Sequence, residues 1–247
     1  MIKNRIVQVI YQTIFCTLAL FGLIGSLGYF DQSFNINFYV YYTNLSNYLC
    51  MGLMVASLVM TIKKALKKEE GEVNTAPTLS FLAVIMILVT FLVYNILLAK
   101  DKTAGEYFLS ASNLLMHLIL PLMFIIHWIL FYKHGKLRWY HPLLCVIMPL
   151  IYVVFILIRA LIVTPGENVV VYPYFFLDVN ELGYGGLTLW VSILVIIFII
   201  IGYIFYFFDN YAHFKKMITS KLGKKSNTNT SDSSNTDSTS ADDTKVE

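Results

Sequence analysis

Thr43, in FYVYYTNLSNYLCMGLMVASLVM, and His117, in SNLLMHLILPLMFIIHWIL, are polar residues inside otherwise apolar runs. A hydroxyl and an imidazole are the minimum for base-assisted nucleophilic attack, because a threonine hydroxyl is a weak nucleophile until a base within about 3 Å takes its proton. Counted at helical rise, the two sit at similar depth, Thr43 roughly 8 Å and His117 roughly 12 Å below the outer start of their runs. Asn95 and Arg159 lie on runs travelling outward and stop roughly 6–8 Å short of the same surface. Thr43, Ser46, Asn47 and Cys50 follow i, i+3, i+4, i+7. Ser110, Asn113, His117 and Pro121 follow i, i+3, i+7, i+11, so each set occupies one helical face.

Each of these residues has a structural reading beside the chemical one. Ser, Thr and Asn commonly hydrogen-bond between helices in membranes, which would account for Ser46, Asn47, Asn113 and Thr43. A neutral histidine bonded to a backbone carbonyl would account for His117. Arg159 is charged at any accessible pH. It either snorkels to the interface, pairs with Asp178, or holds an anion such as a lipid carboxylate. Ser46, one turn from Thr43, is a rival nucleophile. His127 reads as structural, and His134, His141 and His213 as solvated or interfacial.

The elements that must position these groups are bilayer spans. Hydrophobic residues make up 57% of the 247-residue chain and charged residues only 13%, about half the charged share of a soluble domain. Stretches near 7–29, 38–62, 79–99, 108–132, 141–164 and 186–208 are each long enough to cross a core of about 30 Å as a helix. They are continuous rather than alternating, so the expected fold is an all-α bundle of six transmembrane helices over 1–222, not a barrel. Lys3, Arg5, Lys63, Lys64, Lys67, Lys68, Lys133, Lys136, Arg138 and the lysines from Lys215 to Lys225 flank one side, and only Lys100 and Lys102 the other. The positive-inside rule then predicts a cell-membrane protein with both termini cytoplasmic. MIKNR resembles the charged start of a signal peptide, but no A-x-A-like site follows, which favours a retained first span. Residues 223–247 are nearly all Ser, Thr, Asn and Asp and read as a disordered tail. Cys16, Cys50 and Cys145 lack metal-ligand spacing. No Walker loop, dinucleotide fingerprint or HExxH helix calls for a cofactor or metal.

YYTNLSN in the second run, VYNILL in the third, NLLMHLILPL in the fourth, and VYPYFFLD with GYGG before the sixth resemble the bacterial six-span "Pr-six-Pr" membrane proteins. These are distantly similar to the eukaryotic androgen-induced family, intramembrane threonine hydrolases that cleave fatty acid esters of hydroxy fatty acids. The resemblance spans roughly residues 5–210. It implies that Thr43 matches the family's catalytic threonine and that His117, in HLILP, matches its histidine. The Thr-Asn-x-Ser-Asn context around Thr43 is not shared by the eukaryotic members.

The expected function is therefore an intramembrane lipid ester hydrolase whose partners are membrane lipids or a lipid ester, not nucleic acid. Asn47 or Asn113 would donate to the developing oxyanion, Arg159 would hold a free substrate carboxylate, and Asn95 would complete the binding surface. The alternative is a non-enzymatic multi-span protein, a small transporter or a scaffold.

Overall fold

The computed structural model describes residues 2, 4–30, 32–73, 75–99, 111–166, 168–212, 214 and 215. Lys3, Lys100, Lys102, Ser110, His213, the lysines beyond Lys215 and the polar tail lie outside the described residues.

The fold is an all-α bundle of six helices, each long and apolar enough to cross a membrane: α1 (Arg5–Ser26), α2 (Tyr42–Leu66), α3 (Pro77–Leu98), α4 (Ala111–Phe131), α5 (His141–Ile162) and α6 (Val179–Asp209). Their boundaries follow local chemistry. The Asn4 side chain accepts from the backbone of Ile6 and Val7 and starts α1. Pro77 opens α3, where its missing N–H costs nothing. Lys63 and Lys64 complement the dipole in the last turn of α2. Asp178 caps α6 by accepting from Asn180 and Glu181. Asp178 is thus occupied in starting α6 ahead of the expected position 186. The helix then kinks at Gly183, whose φ of 63° only glycine adopts freely.

α1 packs on α2, α2 on α3 and α3 on α4, with α4 closing back on α1. The core of this four-helix group includes Phe15, Met54, Phe81, Ile85, Ile87, Leu120 and Trp128. α3 is its axis, with Phe81, Ala83, Val84, Ile85 and Ile87 all fully buried. A second cluster joins Val40, Tyr152, Ile156, Tyr174, Phe176, Leu177 and Leu187 where α5, α6 and the 163–178 segment meet. α6 is the least buried helix, and residues such as Ile193, Ile196, Ile200 and Ile204 face outward along it.

Both expected sets of loops gather at opposite ends. At one end the Ile2 N–H donates to Leu130 O, Lys133 and Lys136 pair with Glu72, and His134 meets Asp209 at 3.0 Å. Lys133 holds the Glu72 carboxyl below its ordinary range. Among the described residues, this end carries Arg5, the four lysines closing α2, Lys133, Lys136 and Arg138. At the opposite end Asn37 clamps the 27–41 and 163–178 segments, donating to Asn168 O at 2.7 Å and accepting from Val170 N at 3.0 Å. The candidate site lies at this second end.

Candidate functional site

Thr43 and His117 line the same polar cleft, of about 670 Å³. Thr43 sits in the first turn of α2, because that helix begins at Tyr42 rather than near 38. It is therefore shallower than the expected turn and a half. The Tyr39–Tyr41 stretch ahead of it is non-helical and packs as loop, with the Val40 carbonyl accepting from Tyr152 Oη at 2.8 Å. Thr43 is 5% exposed; His117 is half-buried.

His117 stands on a widened turn. Residues Leu115–Ile119 form a π-helix inside α4, and the Leu120 N–H reaches back to Leu115 O instead of Met116 O. Pro121 has no N–H to give to His117 O, its ordinary helical partner. Two successive carbonyls of α4 therefore need other donors, and two asparagines supply them. Asn47 of α2 donates to Met116 O at 2.9 Å, and Asn95 of α3 donates to His117 O at 3.1 Å. The second hydrogens of these amides go to Thr43 O at 2.9 Å and Phe91 O at 2.7 Å. Both amide nitrogens are thus saturated by backbone carbonyls. Asn47 and Asn95 position the helices bearing Thr43 and His117, and an oxyanion could reach neither amide without breaking a bridge.

A second π turn, Tyr94–Leu98, ends α3 directly opposite. It presents Tyr94 to His117, with ring centroids 3.5 Å apart and planes 26° from parallel. Tyr94 Oη also donates to Asn113 Oδ1. π turns recur at functional sites because the extra residue re-aims side chains; here two of them face each other. The His117 Nδ1 lies 3.0 Å from Asn113 O. A carbonyl only accepts, so Nδ1 carries a proton, and in the neutral ring Nε2 then holds the lone pair. That is the tautomer a general base requires, set by a carbonyl rather than a carboxylate.

The rival hydroxyl is placed differently. Ser46 is fully buried, donates to Thr43 O at 2.9 Å and lies 3.0 Å from Thr90 Oγ1. It lines neither the cleft nor the slot described next. Thr43 is the hydroxyl that reaches open space.

A narrow apolar slot of about 60 Å³ runs from Thr43 between α3, α5 and α6, walled by Val89, Tyr152, Leu194 and Phe198. Thr43, Tyr94, Leu98 and Tyr174 line both the slot and the cleft. Thr43 thus stands where a polar opening meets an apolar channel. Comparison with family models, curated proteins and solved structures finds no match.

Arg159 is buried away from both cavities, in the last turn of α5. Its Nη1 donates to Val170 O at 2.6 Å and Val171 O at 3.2 Å, and its Cζ lies 5.7 Å from the Tyr39 ring centroid. It pins the 163–178 segment and complements the C-terminal dipole of α5. Asn113, in contrast, lines the cleft beside His117.

The residues that sequence reasoning passed over are tyrosines. Tyr94 and Tyr174 both line the slot and the cleft together with Thr43. Tyr174 Oη lies 3.5 Å from Thr43 Oγ1 and accepts the Thr43 N–H at 3.4 Å. Tyr174 comes from a loop remote in sequence, so no spacing rule links it to Thr43.

A separate polar group lies deeper. Gln12 Nε2 is 3.1 Å from Ser57 Oγ and 3.0 Å from His127 Nε2, with Tyr11 stacked on His127. Gln12, Ser57 and His127 are buried and line neither cavity, so His127 acts as a bridge between α1 and α4.

Proposed function

We propose that the chain is an intramembrane lipid ester hydrolase with Thr43 as nucleophile and His117 as general base. The observation that carries this reading is the position of Thr43 at the junction of a polar cleft shared with His117 and a narrow apolar slot. The resemblance to intramembrane threonine hydrolases agrees with the same pair. In the reaction, His117 Nε2 takes the Thr43 hydroxyl proton as Oγ1 bonds to the ester carbonyl carbon, and the carbonyl π pair moves onto oxygen. When the carbonyl re-forms, the bond to the leaving alkoxide breaks and His117 returns the proton to it. Water then releases the acid by the same sequence, with His117 again taking the proton. The first carbons of the acyl chain enter the slot, and the alcohol portion leaves through the cleft.

The basic end of the bundle, by the positive-inside rule, faces the cytoplasm. The cleft then opens in the outer leaflet of a cell membrane. A scaffold reading draws on one observation, that the amides of Asn47 and Asn95 and the hydroxyl of Ser46 are all consumed in holding the bundle together.

The test is turnover by purified protein across a panel of lipid esters. Thr43→Ala and His117→Ala should each abolish cleavage with little change in thermal stability. A parent protein that cleaves no ester in the panel, and takes up no fluorophosphonate at Thr43, would leave the scaffold reading standing alone.

A further inference from the structure

The start of α2 lacks its own cap. Tyr41, the N-cap residue, makes no side-chain hydrogen bond to the first turn, although the leading N–H groups of a helix have no partner inside it. Tyr174 fills that role from the 163–178 segment, its phenolic oxygen accepting the Thr43 N–H at 3.4 Å. Either oxygen can donate across the 3.5 Å between Tyr174 Oη and Thr43 Oγ1, and accepting the Thr43 N–H leaves the phenolic O–H available for that role. When Tyr174 donates, one lone pair of Oγ1 is engaged and the Thr43 proton can turn into the cleft that His117 lines. Tyr174 itself is held. It is 8% exposed, stacks on Phe176 with ring centroids 5.0 Å apart and 5° between planes, and packs against Tyr152 at 6.4 Å.

We infer that Tyr174 is a third catalytic residue of this site: it orients the Thr43 hydroxyl at rest and donates its O–H to the carbonyl oxygen as that oxygen becomes negative. The inference rests on the hydrolase reading above. It supplies what the two saturated asparagine amides do not, an O–H donor on the wall shared by slot and cleft. When Oγ1 bonds to the acyl carbon, the oxyanion forms two bonds from Oγ1, so a small rotation of the phenolic hydrogen transfers the donor from one oxygen to the other. The Tyr174 proton is shared and not lost; the proton from Thr43 still goes to His117. Contacts of this kind are commonly long in a resting site and shorten in the transition state.

The experiment measures kcat and KM of the full chain in lipid vesicles, with p-nitrophenyl acyl esters of graded length as the probe. Removing one oxyanion donor costs about 10²–10³-fold in kcat, so Tyr174→Phe should lower kcat by that factor while KM moves by less than about threefold. A role confined to capping α2 would instead lower thermal stability and leave kcat per folded molecule unchanged, which would overturn the inference. Placing a fluorinated tyrosine at 174 keeps the cap and the ring while making the phenol more acidic. The alkaline limb of the kcat profile should then move to lower pH, and an unmoved limb counts against Tyr174. This second measurement stands even if Tyr174→Phe fails to fold. Turnover that requires Thr43 but ignores both changes at 174 removes Tyr174 alone. Absence of any Thr43-dependent turnover removes the hydrolase reading and this inference with it.

Discussion

If Asn95 exists to satisfy a carbonyl that Pro121 leaves bare, restoring the missing N–H should make Asn95 dispensable. The perturbation is a double-mutant cycle of Asn95→Leu and Pro121→Ala. In the native background Asn95→Leu leaves His117 O without the donor now at 3.1 Å. An orphaned buried carbonyl costs about 1–3 kcal/mol, and interhelical hydrogen bonds in membranes average about 0.6 and reach about 1.7 kcal/mol. His117 is only half-buried, so the lower end applies and the bridge should contribute about 1 kcal/mol. With alanine at 121, the backbone N–H of that residue lies one helical turn beyond His117 and can donate to its carbonyl. Asn95→Leu should then cost about 1 kcal/mol less than it does beside Pro121, a coupling near a factor of five in the unfolding constant. Whatever else Asn95 touches cancels in the cycle. Reversible unfolding in mixed micelles, followed by far-ultraviolet dichroism, gives the four free energies. Additivity within about 0.3–0.5 kcal/mol, the usual result for independent sites, would refute the account.

Three further outcomes test other parts of the molecule. Ser46→Ala should keep fluorophosphonate labelling of the chain, because Ser46 is sealed against Thr90, whereas Thr43→Ala should lose it; peptide mapping of the adduct decides. His134 bonds through Nδ1 to Asp209 Oδ1 and through Nε2 to Ile129 O, both at 3.0 Å, and the Asp209 bond raises its pKa above the ordinary value. Its stabilising contribution is therefore complete below pH about 6.5 and lost as pH rises through the raised folded value; Trp128, whose ring lies 5.0 Å from His134, should report this by fluorescence, and a profile unchanged in His134→Gln would contradict it. Finally, a Cβ on Gly25 would meet Ser112 Cβ at 2.7 Å, so Gly25→Ala should destabilise by about 1–3 kcal/mol as overpacking does, with Ser112→Gly restoring thermal stability.

The spans were legible because continuous apolar runs admit few alternatives. Errors fell at their ends, where side chains and not hydropathy decide. α2 starts late because the tyrosines before it are committed to packing against α5 and the 163–178 segment, and α6 starts early because Asp178 caps it. At the site, the polar stripe of α2 is buried, and Thr43, Asn113 and His117 line one cleft. Their division of labour was not legible. Whether an asparagine amide is open to a ligand depends on which carbonyls face it, and that depended on two π turns with no periodic signature. One clue was present: a proline four residues after His117 announces a carbonyl in need of a donor. Arg159 was ambiguous because a buried guanidinium satisfied by carbonyls and one satisfied by a ligand look alike in sequence. Tyr174 was hidden because its link to Thr43 is a tertiary contact across 131 positions.

The π turn at Leu115–Ile119 has a bearing on how such a site arises and disappears. A π turn is a regular helix with one residue added, absorbed locally so that the flanking turns keep their original faces. Removing any one residue within 115–119 would leave Asn113 and Phe124 aimed as they now are, but would withdraw Met116 and His117 from the carbonyl bridges and the cleft. A single-residue deletion elsewhere in α4 would rotate one half of the helix by about 100° against the other. The lineage of this protein therefore has a low-cost route between a plain bundle and one that holds an imidazole in a cleft. Its trace in descendants would be a length difference of one residue within an apolar span, with the asparagines of α2 and α3 present where the longer form survives.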